Sequence, residues 1–212
     1  MLVDASKTNV LVSELVGKLR DKNTEPAEFR TNLKRLGNFL AYEAGNYFSK
    51  TTVSVETLLG QASYEIISDE LVVITILRAA LPMSEGVLEI IPKARVGIVS
   101  ATRGKKLQQD GKDFQIDCTY WNIPPLENKV VLIVDPMLAS GSTLLFVMRE
   151  LMNQKPSKII VICAIASEFG INRILDKYPK VTIVTGDVDE ELNEKGYIVP
   201  GLGDAGDRAF NT

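Results

Sequence analysis

Between residues 129 and 143 the chain reads Lys-Val-Val-Leu-Ile-Val-Asp-Pro-Met-Leu-Ala-Ser-Gly-Ser-Thr, an unbroken apolar run that ends at an acid and a stretch of small residues. No polar residue interrupts Val130 to Val134, and most of these side chains are β-branched. A strand of that kind must be buried on both faces, which places it in a parallel sheet covered by helices. In such sheets ligands bind at the C-terminal ends of the strands. Leu144, Leu145, Val147, Met148, Leu151 and Met152 then recur at helical spacing, so Ser140 to Thr143 are predicted to start a helix. The N–H groups of a first helical turn lack partners and point at whatever anion occupies the loop. Gly141 permits close approach or positive φ, and Ser140, Ser142 and Thr143 add hydroxyl donors. Spacing alone leaves two readings open, a phosphate-binding loop and a capped helix that binds nothing.

The same strand, loop and helix pattern recurs along the chain. Leu71 to Leu77 is a second near-continuous apolar run, followed by Arg78-Ala-Ala-Leu-Pro-Met and a short helix through Glu89. Strands are predicted at Arg95 to Ser100, Gln115 to Trp121, Lys158 to Ala164 and Val181 to Thr185, with a helix at Glu168 to Lys177. Alternation of this kind implies an α/β fold with a doubly wound, mainly parallel sheet. Val10 to Leu19 and Glu28 to Ala44 show helical periodicity, with Pro26 placed to open the second helix, so residues 1–60 are expected to form a helical N-terminal layer. Residues 101–115 are too long and polar for a tight turn and predict a flexible flap or extended β-arm. The tail Gly196-Tyr-Ile-Val-Pro-Gly-Leu-Gly-Asp-Ala-Gly-Asp-Arg is so rich in glycine that no regular element is expected there. Without repeats or a low-complexity linker, residues 1–212 are expected to form one domain.

Histidine is absent, which removes the commonest general base, the Ser-His and Cys-His nucleophiles, and most zinc sites. Chemistry must therefore run on carboxylates, cationic side chains, backbone dipoles or a metal brought by the substrate. The net charge of −3 argues against a broad attraction to nucleic acid or to an anionic membrane. No apolar stretch approaches the roughly 20 residues of a membrane span, and the N-terminus carries no signal-like core, so a cytoplasmic protein is expected. Cys118 and Cys163 fall in predicted strands without metal or redox spacing and are expected to be buried apolar side chains.

Three loops share one logic: Arg78 after a strand, Arg103 in the long flap, and Asp135 to Thr143 after another strand. Two arginines and an anion cradle suit a doubly phosphorylated ligand. The loop resembles the phosphoribosyl diphosphate (PRPP) motif of type I phosphoribosyltransferases, and its Asp135-Pro-Met-Leu-Ala form is similar to that of the uracil phosphoribosyltransferases. The ending Leu192-Asn-Glu-Lys-Gly-Tyr-Ile-Val-Pro-Gly-Leu-Gly-Asp-Ala-Gly-Asp-Arg resembles that family's C-terminal signature almost position for position, and Ile76-Leu-Arg-Ala-Ala resembles its Ile-Leu-Arg-Ala-Gly loop.

The resemblance implies a type I phosphoribosyltransferase fold with a mobile β-arm and a base-binding tail at residues 186–212. It implies transfer of the 5-phosphoribosyl group from PRPP to uracil, giving UMP and diphosphate in pyrimidine salvage, with Mg²⁺ carried by PRPP and no metal held by the protein alone. Arg78, Arg103 and Asp204 would be the catalytic residues, the arginines gripping the leaving diphosphate. Asp135, Pro136, Met137, Leu138, Ala139, Ser140, Gly141, Ser142 and Thr143 would cradle the 5-phosphate and ribose, with Asp135 on the ribose hydroxyls and Asp204 also near PRPP. Ile198, Gly203, Asp204 and Ala205 would face the edge of uracil. A homo-oligomer, dimer or tetramer, is implied, and some relatives answer to GTP as activator and CTP as inhibitor.

The chain departs from the pattern at several points. Ala139-Ser-Gly-Ser-Thr stands where most uracil enzymes read Ala-Thr-Gly-Gly-Ser, Ala166-Ser-Glu-Phe-Gly-Ile where the family often reads Ala-Ala-Pro-Glu-Gly-Ile, and Ala80 replaces a glycine. The arm Gly104-Lys-Lys-Leu-Gln-Gln-Asp is also divergent. Two rivals remain: a phosphoribosyltransferase for another base, which should not keep the Tyr197 to Asp207 tail, and a non-catalytic, nucleotide-sensing RNA-binding regulator, which should carry a basic face.

Overall fold

The computed structural model describes residues 1–106 and 113–212, the side chains of Arg103, Lys105 and Lys106 excepted. In chain order, β1 (Leu2–Asp4) leads through a short 3-10 turn into α1 (Val10–Arg20) and α2 (Pro26–Gly45), and a hairpin of β2 (Lys50–Thr57) and β3 (Gly60–Ile67) follows. Then come β4 (Leu71–Leu77), α3 (Leu81–Ile90), β5 (Arg95–Lys106), β6 (Phe114–Asn122), β7 (Val130–Val134) and β8 (Met137–Leu138). The chain ends with α4 (Ser142–Met152), β9 (Lys158–Ser167), α5 (Glu168–Lys177), β10 (Thr182–Asp189), β11 (Glu191–Leu192), β12 (Ile198–Val199) and α6 (Ala205–Phe210). The main sheet runs β1-β10-β9-β7-β4-β5-β6, with β8 also paired to β9. Its pairings are parallel except β5 with β6, which is antiparallel at the edge.

The apolar run that defines β7 does what two-faced burial requires. Side chains alternate across a strand, so Val130, Leu132 and Val134 join one apolar layer with residues of α1, α2, α3 and α6, while Val131 and Ile133 join the other with residues of α4 and α5. All five are buried, as are Val72, Val73 and Ile74 of β4 and Ile160 to Ile165 of β9. The α/β architecture with a mainly parallel sheet is therefore as expected.

The departures have simple causes. Residues 1–60 are not wholly helical, because β1 pairs with β10 through Leu2 and Ile183, and because β2 and β3 form a hairpin that begins inside that stretch. A three-residue strand carries no periodicity to read; the hairpin strands do alternate, with Val53 and Val55 opposite Tyr64 and Ala62, but the signal is short and the strands are exposed along nearly their whole length. The tail does hold regular structure, since Asp204 caps α6 by accepting from the Asp207 amide at 3.0 Å. The expected arm takes the extended form at its two sides: β5 runs on to Lys106 and β6 begins at Phe114, with Arg103 opposite Ile116. Residues 107–112 of that arm lie outside the described residues. Cys163 is buried as expected, and burial pushes its thiol up to about 12. Cys118 is instead exposed, because it lies on the edge strand β6.

Helices α2 and α3 approach backbone to backbone. A Cβ on Gly86 would lie 2.0 Å from the Lys34 carbonyl oxygen, and one on Gly37 would lie 2.2 Å from that of Met83. Gly86→Ala should therefore push the two helices apart and destabilise the fold by about 2–3 kcal/mol, roughly 5–10 °C in Tm for a chain of this length. Gly17→Ala is the control, because no atom lies within 4 Å of its added Cβ. It should raise stability by about 0.5–1 kcal/mol through helix propensity alone. Thermal unfolding of both variants checks the pair, and equal Tm values for the two would contradict the packing argument.

Candidate active site

A cleft of about 360 Å³ opens at the C-terminal ends of the parallel strands. It brings together Arg78 after β4, Asp135, Met137, Ala139 and Thr143 after β7, and Ile198, Gly203 and Asp204 of the tail. A small hollow adjoins it, lined by Asp135 and by Met137 to Leu144 and sharing Asp135, Met137, Ala139 and Thr143 with the cleft. Gly141, at φ +78°, is the N-cap of α4 and supplies no side-chain cap. The start of α4 thus lies on this hollow, with its Ser142 amide donating to Ser140 Oγ at 3.4 Å.

Not every expected residue turns its side chain to the cleft. Pro136 and Leu138 are buried, and the Pro136 carbonyl accepts from the amides of Ala164 and Ile165, both at 3.0 Å. Ser140 and Ser142 line the small hollow and are themselves buried. Ala205 packs its methyl group into the core at the start of α6. The backbone of Arg103 is in β5, and the role expected of its side chain lies outside the described residues.

Arg78 is half exposed and donates to Asp207 Oδ1 at 2.8 Å, with its guanidinium 5.9 Å from the Phe210 ring centroid. This contact joins the loop after β4 to the tail. Asp207 was within the tail motif, but nothing in the sequence singles it out as the partner of Arg78. Thr102 and Tyr197 also line the cleft without a sequence signal of their own.

Two further sets of side chains hold the loops in place. At the phosphate loop, Ser167 Oγ caps α5 by accepting from the Gly170 amide at 2.9 Å and donates to the Ala139 carbonyl at 2.6 Å. Gly170 makes this approach feasible, since a Cβ there would lie 2.2 Å from the Ala139 oxygen. Arg173 reaches the same loop from the next turn of α5, donating to the Ser140 carbonyl at 3.1 Å and to Ser142 Oγ at 3.0 Å. Its other terminal nitrogen donates to Asp113 Oδ1 at 2.7 Å. Burial pushes the Asp113 carboxyl up, but the Arg173 and Ser142 hydrogen bonds, the guanidinium charge and the Phe114 amide outweigh it and hold the group below the usual range.

At the tail, Arg20 of α1 forms a forked ion pair. It donates to both oxygens of Asp189 and to Asp187 Oδ2, each at 2.8 Å, and to the Gly201 carbonyl at 3.0 Å. Asp189 also accepts from the Gly201 amide at 2.9 Å. Gly201 has φ +61°, and a Cβ there would lie 2.1 Å from the Ile198 oxygen, so the turn needs glycine. Arg208 donates to the carbonyls of Leu19, Asp21 and Leu202 and stacks 4.4 Å from the Phe29 ring centroid. Among the described residues no group of three or more His, Cys, Asp or Glu is placed to hold a metal, and no helix is long and apolar enough to cross a membrane.

Comparison with known proteins agrees with this geometry. The family model described as uracil phosphoribosyltransferase matches residues 6–212. Uracil phosphoribosyltransferase of Thermococcus gammatolerans is 42% identical over 203 residues, covering 94% of this chain and 88% of that protein. The protein of the same name from Pyrococcus furiosus is 43% identical, covering 94% and 85%. A solved structure of an Aquifex aeolicus protein superposes with a TM-score of 0.89 at 37% identity, covering 99% of this chain and 98% of that one.

The Arg20 fork makes stability depend on acid titration. Burial pushes the Asp187 carboxyl up, but hydrogen bonds from Arg20, the Val188 amide and Ser6, with the Arg20 charge, pull it below its ordinary value. A carboxylate with a depressed folded pKa stabilises above the unfolded value, near about 3.9, and that contribution is lost as pH falls through the lower folded value. Wild-type Tm should fall between about pH 5 and pH 2. Asp187→Asn should start lower and fall less steeply across that window, and a slope equal to wild type in this variant would rule the linkage out.

Proposed function

The chain belongs to the uracil phosphoribosyltransferase family, and from that premise we propose that the cleft transfers the 5-phosphoribosyl group of PRPP to uracil, releasing UMP and diphosphate. The observation that carries the reading is the convergence of Arg78, the Asp135 to Thr143 loop and the Ile198 to Asp204 turn on one cavity. Uracil N1 forms its bond to ribose C1 as the C1–O bond to diphosphate breaks, and the N1 proton leaves with the diphosphate or to solvent. Positive charge develops on the sugar and negative charge on the departing group, so the protein's main task is positioning and electrostatic stabilisation. A chain without histidine can do both.

In this reading the amides at the start of α4 and the Thr143 hydroxyl receive the 5-phosphate, Ser140 and Ser142 line the loop with Ser142 spending its one donor on Asp113, and Asp135 meets the ribose hydroxyls. Arg78 turns its planar fork on the diphosphate, with Asp207 orienting it from the tail. Backbone groups at Ile198, Gly203, Asp204 and Ala205 meet the uracil edge. Cytosine presents an amino group where uracil presents a carbonyl, and would leave a buried donor unpaired. Mg²⁺ fits as an ion held mainly by PRPP oxygens and water, since Asp135 and Asp204 offer hard oxygen donors without forming a closed cage. Bound there, it would neutralise phosphate charge. A cytoplasmic location is the part of this reading that rests on sequence alone.

A homo-oligomer belongs to the same reading and is supported by the β2–β3 hairpin. Its tip leaves Leu58 and Leu59 at 104% and 100% exposure, with Val55, Tyr64, Ile66 and Ile67 also exposed, and contiguous apolar surface of this kind favours association. Leu58→Asp with Leu59→Asp should shift the wild-type oligomer toward smaller species in sedimentation, and an unchanged distribution would remove the hairpin from the interface.

Conversion of radiolabelled uracil with PRPP and Mg²⁺, run beside cytosine, hypoxanthine and orotate and with GTP or CTP added in parallel, tests the activity. Turnover of uracil alone is expected, whereas turnover of another base, or none, would overturn the reading. Arg78→Ala should lower kcat/KM by about 10²–10³-fold with Tm nearly unchanged, because an exposed ion pair contributes only about 0–1 kcal/mol.

A further inference from the structure

The arc of the phosphate loop that must present its N–H groups to an anion is held from behind by α5. Two consecutive carbonyls of that arc are bound by side chains at the start and second turn of α5: Ala139 by Oγ of its N-cap Ser167 at 2.6 Å and Ser140 by Arg173 Nη1 at 3.1 Å. A trans peptide is planar, with its C=O and N–H on opposite sides. Pinning the Ala139 and Ser140 carbonyls toward α5 therefore turns the Ser140 and Gly141 N–H groups away from α5. Successive amides turned the same way make the concave nest that suits an anion. The loop would not hold this shape unaided, because Gly141 at φ +78° is the residue type with the widest conformational choice.

Ser142 closes the arrangement. Its hydroxyl accepts from Arg173 at 3.0 Å, donates to Asp113 Oδ1 at 3.0 Å, and lies 3.1 Å from Ser140 Oγ. One donor and two acceptor sites are what a hydroxyl has, so Ser142 is fully engaged by its neighbours. Asp113 in turn accepts from Arg173 at 2.7 Å and from the Phe114 amide at 3.1 Å, which ties the first residue of β6 to the loop. Ser142 and Ser167 are both positions where the chain departs from the pattern described above, and the structure shows the two hydroxyls serving one loop.

We propose that Ser167 and Arg173 are positioning residues for the phosphate site: they act through the backbone of residues 139–141, and Asp113 fixes the guanidinium that does so. Neither is a catalytic residue, because both lie behind the loop. This inference rests on the reading of Asp135 to Thr143 as the phosphate cradle.

The test is a dissociation constant for PRPP and for ribose 5-phosphate, measured by calorimetry on the full chain, beside steady-state kinetics and Tm. Arg173→Met should weaken both phosphate ligands about tenfold and raise KM for PRPP by a similar factor, while KM for uracil moves less than about threefold. Ser167→Ala should act in the same direction. Arg173→Lys should recover only part of the loss, since one ammonium cannot span the Ser140 carbonyl, Ser142 and Asp113 together. Asp113→Asn should weaken binding in the wild-type background and add nothing to Arg173→Met. Wild-type dissociation constants in Arg173→Met and Ser167→Ala would overturn the proposal, and so would a parallel rise in KM for PRPP and for uracil, which signals general loosening. Binding is read without turnover, so failure of the wild-type chain to transfer uracil would count against the proposed activity and not against this role.

Discussion

Two-faced burial of the central strands is the constraint on which the rest depends. Because β4, β7 and β9 have no face left for solvent, helices must cover both sides, and the crossovers that carry those helices make the strands parallel. Parallel strands deliver their following loops to one edge, and there Arg78 and Asp135 to Thr143 meet. The tail reaches the same edge by a different route, through the short β11–β12 pairing of Leu192 with Ile198. Position in the cleft thus follows from burial in the core.

The two ends of the cleft are held by opposite faces of the sheet. The loop after β7 is gripped on the face covered by α4 and α5, by Ser167 at the N-cap of α5 and by Arg173 of α5. The tail is gripped by the N-terminal layer, through the Arg20 fork, Arg208 on the Phe29 ring, and Arg30 donating to the Ala209 carbonyl at 2.6 Å. The contacts differ in strength for physical reasons. Arg20 is bidentate to Asp189 and shielded, with side-chain exposures of 21% and 7%, so its hydrogen bonds fall in the stronger charged class, about 1.5–3 kcal/mol each. The Lys18–Glu14 pair on the same helix is exposed and sits in solvent, which screens its attraction. Residues 1–60, the least distinctive part of the sequence, therefore secure the tail side of the cleft.

What could be read from the sequence was whatever repeats or clusters. The β7 run, the helical spacing of α1, α2, α4 and α5, and the glycine-rich tail are signals spread over many residues, and α5 spans the expected Glu168 to Lys177. The cleft residues Arg78, Asp135, Thr143, Gly203 and Asp204 were legible because their loops follow apolar runs or carry motif spacing. The supporting contacts were not. Arg20 and Asp189 are 169 positions apart, and Arg173 reaches Asp113 across 60. A lone arginine on the polar side of an amphipathic helix reads as a solvated charge until the chain has folded. The same limit applies to Cys118, whose exposure depends on β6 being the edge strand and not on its own alternation.

The charge balance decides how such a cleft can hold a polyanion. The chain carries 27 acidic against 24 basic residues, so no long-range field draws PRPP in. Within the cleft, Asp135, Asp204 and Asp207 stand beside Arg78, and Asp207 already takes part of that arginine's charge. Side-chain charge alone would leave the ligand little better off than in water. In the proposed reading the balance comes from the Mg²⁺ carried with PRPP and from groups that carry no counter-charge, the oriented amides at the start of α4, which act over a few ångströms and need no cationic surface. Such dipoles are effective only when their direction is held, because a loop free to rotate its peptide planes loses the alignment on which the attraction depends. In an acidic protein that binds phosphate, the hydrogen bonds that fix carbonyls on the far side of the loop therefore matter as much as the donors that face the ligand.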